Sequence, residues 1–177
     1  MLKFKKTKEI EELNNDNNYN KYKKYIFFIS NDNTKYIRLT KDISEFLTLD
    51  IHRFNINNKY TTKLCYGTID QCSYCKDNKV KELGIFVPLI EVDSKGNIID
   101  TRDEQLWLLP KIFLYTHYFN KLNDDIKGNI NNYIFKIDKT MNKHMITEIK
   151  VRKSFKSMNF DKHNDEFWIE ILENNFV

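Results

Sequence analysis

One histidine and three cysteines, spaced His52-x12-Cys65-x6-Cys72-x2-Cys75, constrain this 177-residue chain more than any other feature. Cys72 and Cys75 can place two sulfurs on one ion through a tight turn. Cys65 and His52 then close the shell from a neighbouring loop, giving the set of three cysteines and one histidine that suits a tetrahedral zinc ion. Four protein donors leave no open position for water or substrate, so the expected Zn2+ is structural rather than catalytic. His117, His144 and His163 compete for the fourth place, but they lie far along the chain.

Three other readings of the cysteines fit less well. An odd number argues against a disulfide framework. A thioredoxin-like redox pair needs its C-x-x-C to open a helix after a buried strand, and no such strand precedes Gln71. A zinc deaminase carries H-x-E followed by P-C-x-x-C. Here Phe54 and Gln71 stand at the deciding positions.

The hydrophobic pattern reads as a mostly β domain of five or more strands with a few helices, for which a small barrel is suitable. Tyr25 to Ile29 reads as an apolar strand, Ser30–Thr34 as a turn, and Tyr36 to Leu39 as a second strand that pairs back on the first. Residues 43–51 fit either helix or strand, and 52–79 lack long apolar runs. Leu83 to Val92 is the strongest buried strand, and Pro88 within it calls for an edge or a bulge. Pro110 suits a helix first turn, with Ile112, Phe113, Thr116, Phe119 and Leu122 at helical spacing to about Asn123. Alternation through Tyr133, Phe135 and Ile137, and again through Met145, Thr147, Ile149 and Val151, gives a hairpin around residues 140–143. Residues 165–173 read as a final helix capped by Asn164 or Asp165.

No apolar run approaches the length of a membrane span, and the N-terminus has no secretory apolar core. A membrane partner is therefore not expected, and a reducing cytoplasm is the expected compartment. The net charge of +4 is mild, but its distribution is uneven. Residues 1–40 hold nine Lys/Arg against five Asp/Glu, whereas residues 161–177 hold one Lys against five acids. Lysines and tyrosines also interleave, as in Tyr22-Lys23-Lys24-Tyr25, Lys35-Tyr36-Ile37-Arg38, Lys59-Tyr60 with Lys63 and Tyr66, and Lys111 with Tyr115 and Tyr118. Cations for phosphates and aromatic faces for bases are what single-strand binding requires. No paired carboxylates at metal spacing and no phosphate-cradling glycine loop point to an enzyme. Asp100, Asp103 and Glu104 read as a solvated turn.

From the zinc spacing onward, the order of features resembles the single-stranded DNA-binding proteins of T4-type and related phages. The resemblance covers about residues 24–151. It implies an OB-fold-like five-stranded barrel over 21–160, with an inserted zinc-binding subdomain at about 50–80. It also implies a flexible basic arm over 1–20 and an acidic helix or tail over 161–177. The expected function is sequence-independent coating of single-stranded DNA during replication or recombination, without catalysis, in the host cytoplasm. The candidate DNA contacts are Tyr36, Arg38, Tyr60, Lys63, Tyr66, Tyr74, Lys111 and Tyr115. In the family a short basic N-terminal motif supports cooperative self-association, and Lys5-Lys6-Thr7-Lys8 is its counterpart here. An acidic tail recruits replication proteins there; this tail is short and holds Phe167, Trp168, Ile169 and Leu172. The gap between Cys65 and Cys72 is shorter than in the T4 member. The alternative reading is a zinc-ribbon protein-interaction module, acting as a transcription or host-takeover factor.

Overall fold

The computed structural model of the chain describes residues 22–56, 59–65, 67, 71–99, 103–110, 115–126, 130–141, 143–151 and 165–176. The expected basic arm with its Lys5-Lys6-Thr7-Lys8 motif, Tyr66 and Lys111 lie outside them. The protein is mainly β. Its strands are β1 (Asn33–Leu39), β2 (Leu47–Ile56), β3 (Lys59–Leu64), β4 (Lys81–Val92), β5 (Gln105–Leu108), β6 (Tyr133–Thr140) and β7 (Lys143–Lys150). The helices are α1 (Ser73–Lys76), α2 (Asn120–Ile126), which follows a π-helical turn at Tyr115–Phe119, and α3 (Asp165–Phe176). The strands pair antiparallel in the order β3-β2-β4-β1-β6-β7, with β5 on β4, and the path is open.

The chain divides into two compact units. The first takes in Thr48–Gly84 together with residues 22–24 and α3. Here β2 and β3 form a hairpin with Ile51 opposite Leu64 and His52 opposite Lys63. Antiparallel partners share a face and neighbours along a strand alternate. Ile51 and Leu64 therefore bury on one face while His52 turns to the other. Gly84 lets the backbone of β4 approach Ile51: a Cβ there would meet the Ile51 methyls at 2.9 Å. Helix α3 packs on β3, burying Ile171 and Leu172. The Tyr22 hydroxyl donates to the Glu170 carboxylate. The acidic C-terminal segment is thus a helix seated on its own unit.

The second unit comprises Tyr25–Leu47 and Ile85–Lys162. Its strand order is β5-β4-β1-β6-β7. Alternation turns Ile37 and Leu39 of β1, Ile85, Val87 and Leu89 of β4, and Phe135 and Ile137 of β6 into one core, which Phe119 and Leu122 join. Tyr36 lies on the opposite face with Ile90, Val92 and Ile134.

Three expectations need correction. Tyr25 to Ile29 does not form a hairpin with Tyr36 to Leu39: β1 pairs with β4 and β6, while Ile26 bridges in parallel to Leu106 and Phe27 N–H donates to the Leu106 carbonyl. Pro88 sits neither on an edge nor in a bulge: it lies inside β4, opposite Leu106 of β5. The ladder to β1 ends one residue earlier, at Leu39 opposite Leu89. The missing Pro88 N–H therefore breaks no β1–β4 ladder bond, and the Pro88 carbonyl still accepts Thr40 N–H at 3.2 Å. Nor does Glu104 belong to a solvated turn. It is 2% exposed and accepts a hydrogen bond from the Thr40 hydroxyl.

Candidate metal centre

The β2–β3 hairpin, rather than the expected loop, and the turn after it build this site. His52 projects from β2. Just past β3, Cys65 extends the ladder by one bond, its N–H donating to the Asp50 carbonyl at 2.9 Å. Alternation puts Cys65, Lys63 and His52 on one face. Cys72 precedes α1, and the Lys76 N–H returns to the Cys72 carbonyl at 3.1 Å. That single helical turn is what brings Cys75 back toward Cys72.

The donor atoms of His52, Cys65, Cys72 and Cys75 all lie within 4.8 Å of one another. His52 Nε2 is 3.4 Å from the Sγ atoms of both Cys72 and Cys75, and Cys65 Sγ is 3.5 Å from Cys75 Sγ. A tetrahedral zinc ion with ordinary bond lengths needs edges of about 3.8 Å between sulfurs and about 3.6 Å between nitrogen and sulfur. The observed separations match that scale, and a small movement would admit the ion.

Burial and charge add to the case. His52, Cys65 and Cys72 are buried, and Cys75 is half-buried. Burial first, then crowding by Cys65 and Cys72, pushes the Cys75 thiol up to about 12. A dication among the sulfurs reverses that trend, because metal binding requires thiolates and compensates their mutual repulsion. His52 is set up as a ligand by its other nitrogen: Nδ1 lies 3.1 Å from the Val80 carbonyl. A proton on Nδ1, donated to that carbonyl, leaves the Nε2 lone pair facing the sulfurs. The group can hold a metal ion, and its donors are consistent with zinc. Of the competing histidines, His117 and His144 belong to the second unit, and His163 lies outside the described residues.

A half-open aromatic cluster adjoins the metal group. The Tyr74 ring lies 5.8 Å from the His52 ring and 5.2 Å from that of Phe54. Lys79 Nζ stands 5.7 Å from the Phe54 centroid. Burial lowers the pKa of Lys63 and is the main reason that of Tyr74 is raised. Lys63 and Tyr74 were expected from sequence; Phe54 and Lys79 were missed. Phe54 was legible in principle, two residues beyond His52 on the same strand face.

The other expected contacts disperse. Tyr36 and Arg38 occupy β1 in the second unit, and Arg38 is buried, which lowers its pKa. Tyr60 falls in β3 opposite Asn55, and Tyr115 opens the π-helical turn. Among the described residues, no helix is long and apolar enough to cross a membrane. Neither the protein-family models nor the curated proteins compared with the chain match it.

Proposed function

We propose that this chain is a zinc-stabilised, sequence-independent single-stranded DNA-binding protein without catalytic activity. It would coat exposed strands during replication or recombination, associate with itself on DNA, and meet replication proteins there. The observation that carries the reading is the Tyr74–Phe54 ring pair held beside the metal group, with Lys79 over Phe54 and Lys63 on the His52 strand face. Rings fixed next to cations offer bases a stacking surface and phosphates a counter-charge. On this reading, four protein donors leave the zinc the role of holding that surface in place.

The finer proposal for the second unit is an OB-like barrel. Its end strands approach each other: Trp107 of β5 and His144 of β7 have ring centroids 5.8 Å apart. Residues 25–30 support the same curl, since Ile26 bridges to Leu106 in parallel and the Ile29 carbonyl accepts a hydrogen bond from Lys139 at 3.0 Å.

The deciding experiment is an oligo-dT titration at low salt, repeated as salt rises and after chelation. Binding should weaken steeply with salt, and chelation should loosen the fold and weaken binding together. Absence of binding at low salt overturns the proposal. One observation favours the interaction-module reading: Ile56, Val80 and Leu83 are exposed on the first unit. A stoichiometric protein partner retained after nuclease treatment would favour that alternative.

A further inference from the structure

Phe28 is an anomaly of burial. Its neighbours Phe27 and Ile29 are 3% and 2% exposed, whereas Phe28 is 68% exposed. Phe27 and Ile29 turn into the core, and Phe28 between them turns out to solvent. Two flanking hydrogen bonds fix the backbone there. Phe27 N–H donates to the Leu106 carbonyl at 2.9 Å, and the Ile29 carbonyl accepts from Lys139 Nζ at 3.0 Å. With Phe27 and Ile29 anchored in the core, Phe28 cannot turn inward without withdrawing both.

The same lysine faces the ring. Lys139 Nζ lies 5.2 Å from the Phe28 centroid, within cation–π range. Its hydrogen bond goes to a neutral carbonyl, so the positive charge is not cancelled by that contact. Across the β6–β7 ladder stands His144, whose pKa is lowered by burial and then by Lys139. A histidine held toward its neutral form adds no charge there. The result is an exposed aromatic ring on anchored backbone beside a cation, all within the second unit.

We propose that Phe28 is a stacking platform for a nucleobase of single-stranded nucleic acid, and that Lys139 meets the flanking phosphate. Resting on the single-strand-binding reading, the site adds a contact that the lysine–tyrosine pattern did not reveal. The anchored backbone and a side chain of only two torsions keep small the freedom lost on contact. Stacking on a phenyl face tolerates any base, in keeping with binding that does not read sequence.

The test uses the full chain and a fluorescein-labelled oligo-dT, with Phe28→Ala, Phe28→Trp and Lys139→Gln beside the wild type. Phe28→Ala should bind roughly 5- to 150-fold more weakly, the loss of one stacked base. Its log–log salt slope should stay unchanged, because no phosphate contact is removed. Phe28→Trp should retain affinity and show a new indole quench on binding. Lys139→Gln should reduce the salt slope by about 0.7, the value for one phosphate on a single strand.

Circular dichroism and zinc content check the fold of each variant. Should Phe28→Ala fail to fold, the Phe28→Trp quench decides, and its absence overturns the site. Wild-type-like binding by a folded Phe28→Ala also overturns it while leaving the broader reading intact. No binding by the wild type removes both. Weaker binding that tracks a change in sedimentation makes the ring a self-association contact and overturns the stacking role.

Discussion

His52 Nδ1 lies 3.1 Å from the carbonyl oxygen of Val80, while Nε2 of the same ring faces the sulfurs of Cys72 and Cys75. One backbone carbonyl thus sets the tautomer that a metal ligand requires. It also ties β2 to the residue just before β4, so metal binding and strand packing are coupled within the first unit.

That coupling gives the first prediction. The purified protein should carry one zinc ion per chain, measured by atomic emission. His52→Ala and Cys72→Ser should each lose it, and thermal unfolding should broaden and move to lower temperature. His52→Cys should keep the ion, because a shell of four thiolates is equally acceptable to zinc. Full stability in a metal-free preparation would contradict the structural role.

The close approach of Gly84 to Ile51 gives the second. An alanine at 84 puts its Cβ 2.9 Å from Cδ1 and Cγ2 of a fully buried isoleucine. Overpacking of this kind costs about 1–3 kcal/mol. In urea unfolding, Gly84→Ala should be destabilised, and adding Ile51→Val should recover part of the loss. Simple additivity of the two substitutions would show that the contact is absent.

The metal ligands were legible in sequence because their geometry is local. Cys72 and Cys75 need only the turn of α1, and His52 and Cys65 need only the β2–β3 hairpin. The hairpin itself was not legible. Leu47–Ile56 and Lys59–Leu64 are mixed in polarity, since the His52 face packs around sulfurs rather than apolar side chains. Strands β4 and β6 were visible because their apolar residues face buried clusters, whereas β7 showed its alternation although Met145 is exposed. Phe28 was hidden for the opposite reason: in Tyr25 to Ile29 it looked like one more core residue. Glu104 was misread because its burial depends on Thr40, far away in sequence.

A third prediction concerns α3. Leu172 is fully buried on the helix that packs against β3. Leu172→Ala should cost about 2–5 kcal/mol, as for other buried leucines cut back to alanine. Denaturant unfolding followed by Trp168 fluorescence measures it. A change below about 0.5 kcal/mol, the range of ordinary surface substitutions, would mean that the helix is dispensable.

The fourth prediction is a pH dependence centred on His144. Burial, and then the nearby Lys139 charge, lowers its pKa in the folded protein from an unfolded value of about 6.5. The unfolded chain therefore takes up a proton on His144 at higher pH than the folded chain does. Stability from the neutral imidazole is complete above pH about 6.5 and declines as pH falls toward the folded-state value. A His144→Gln variant, which cannot titrate, should show a flatter stability curve across that window. Lys139→Gln removes the charge contribution but leaves burial, so the His144 pKa should rise part of the way back. NMR titration of the imidazole reads both values directly, and a wild-type pKa at or above about 6.5 would rule out the inferred environment between Trp107 and Lys139.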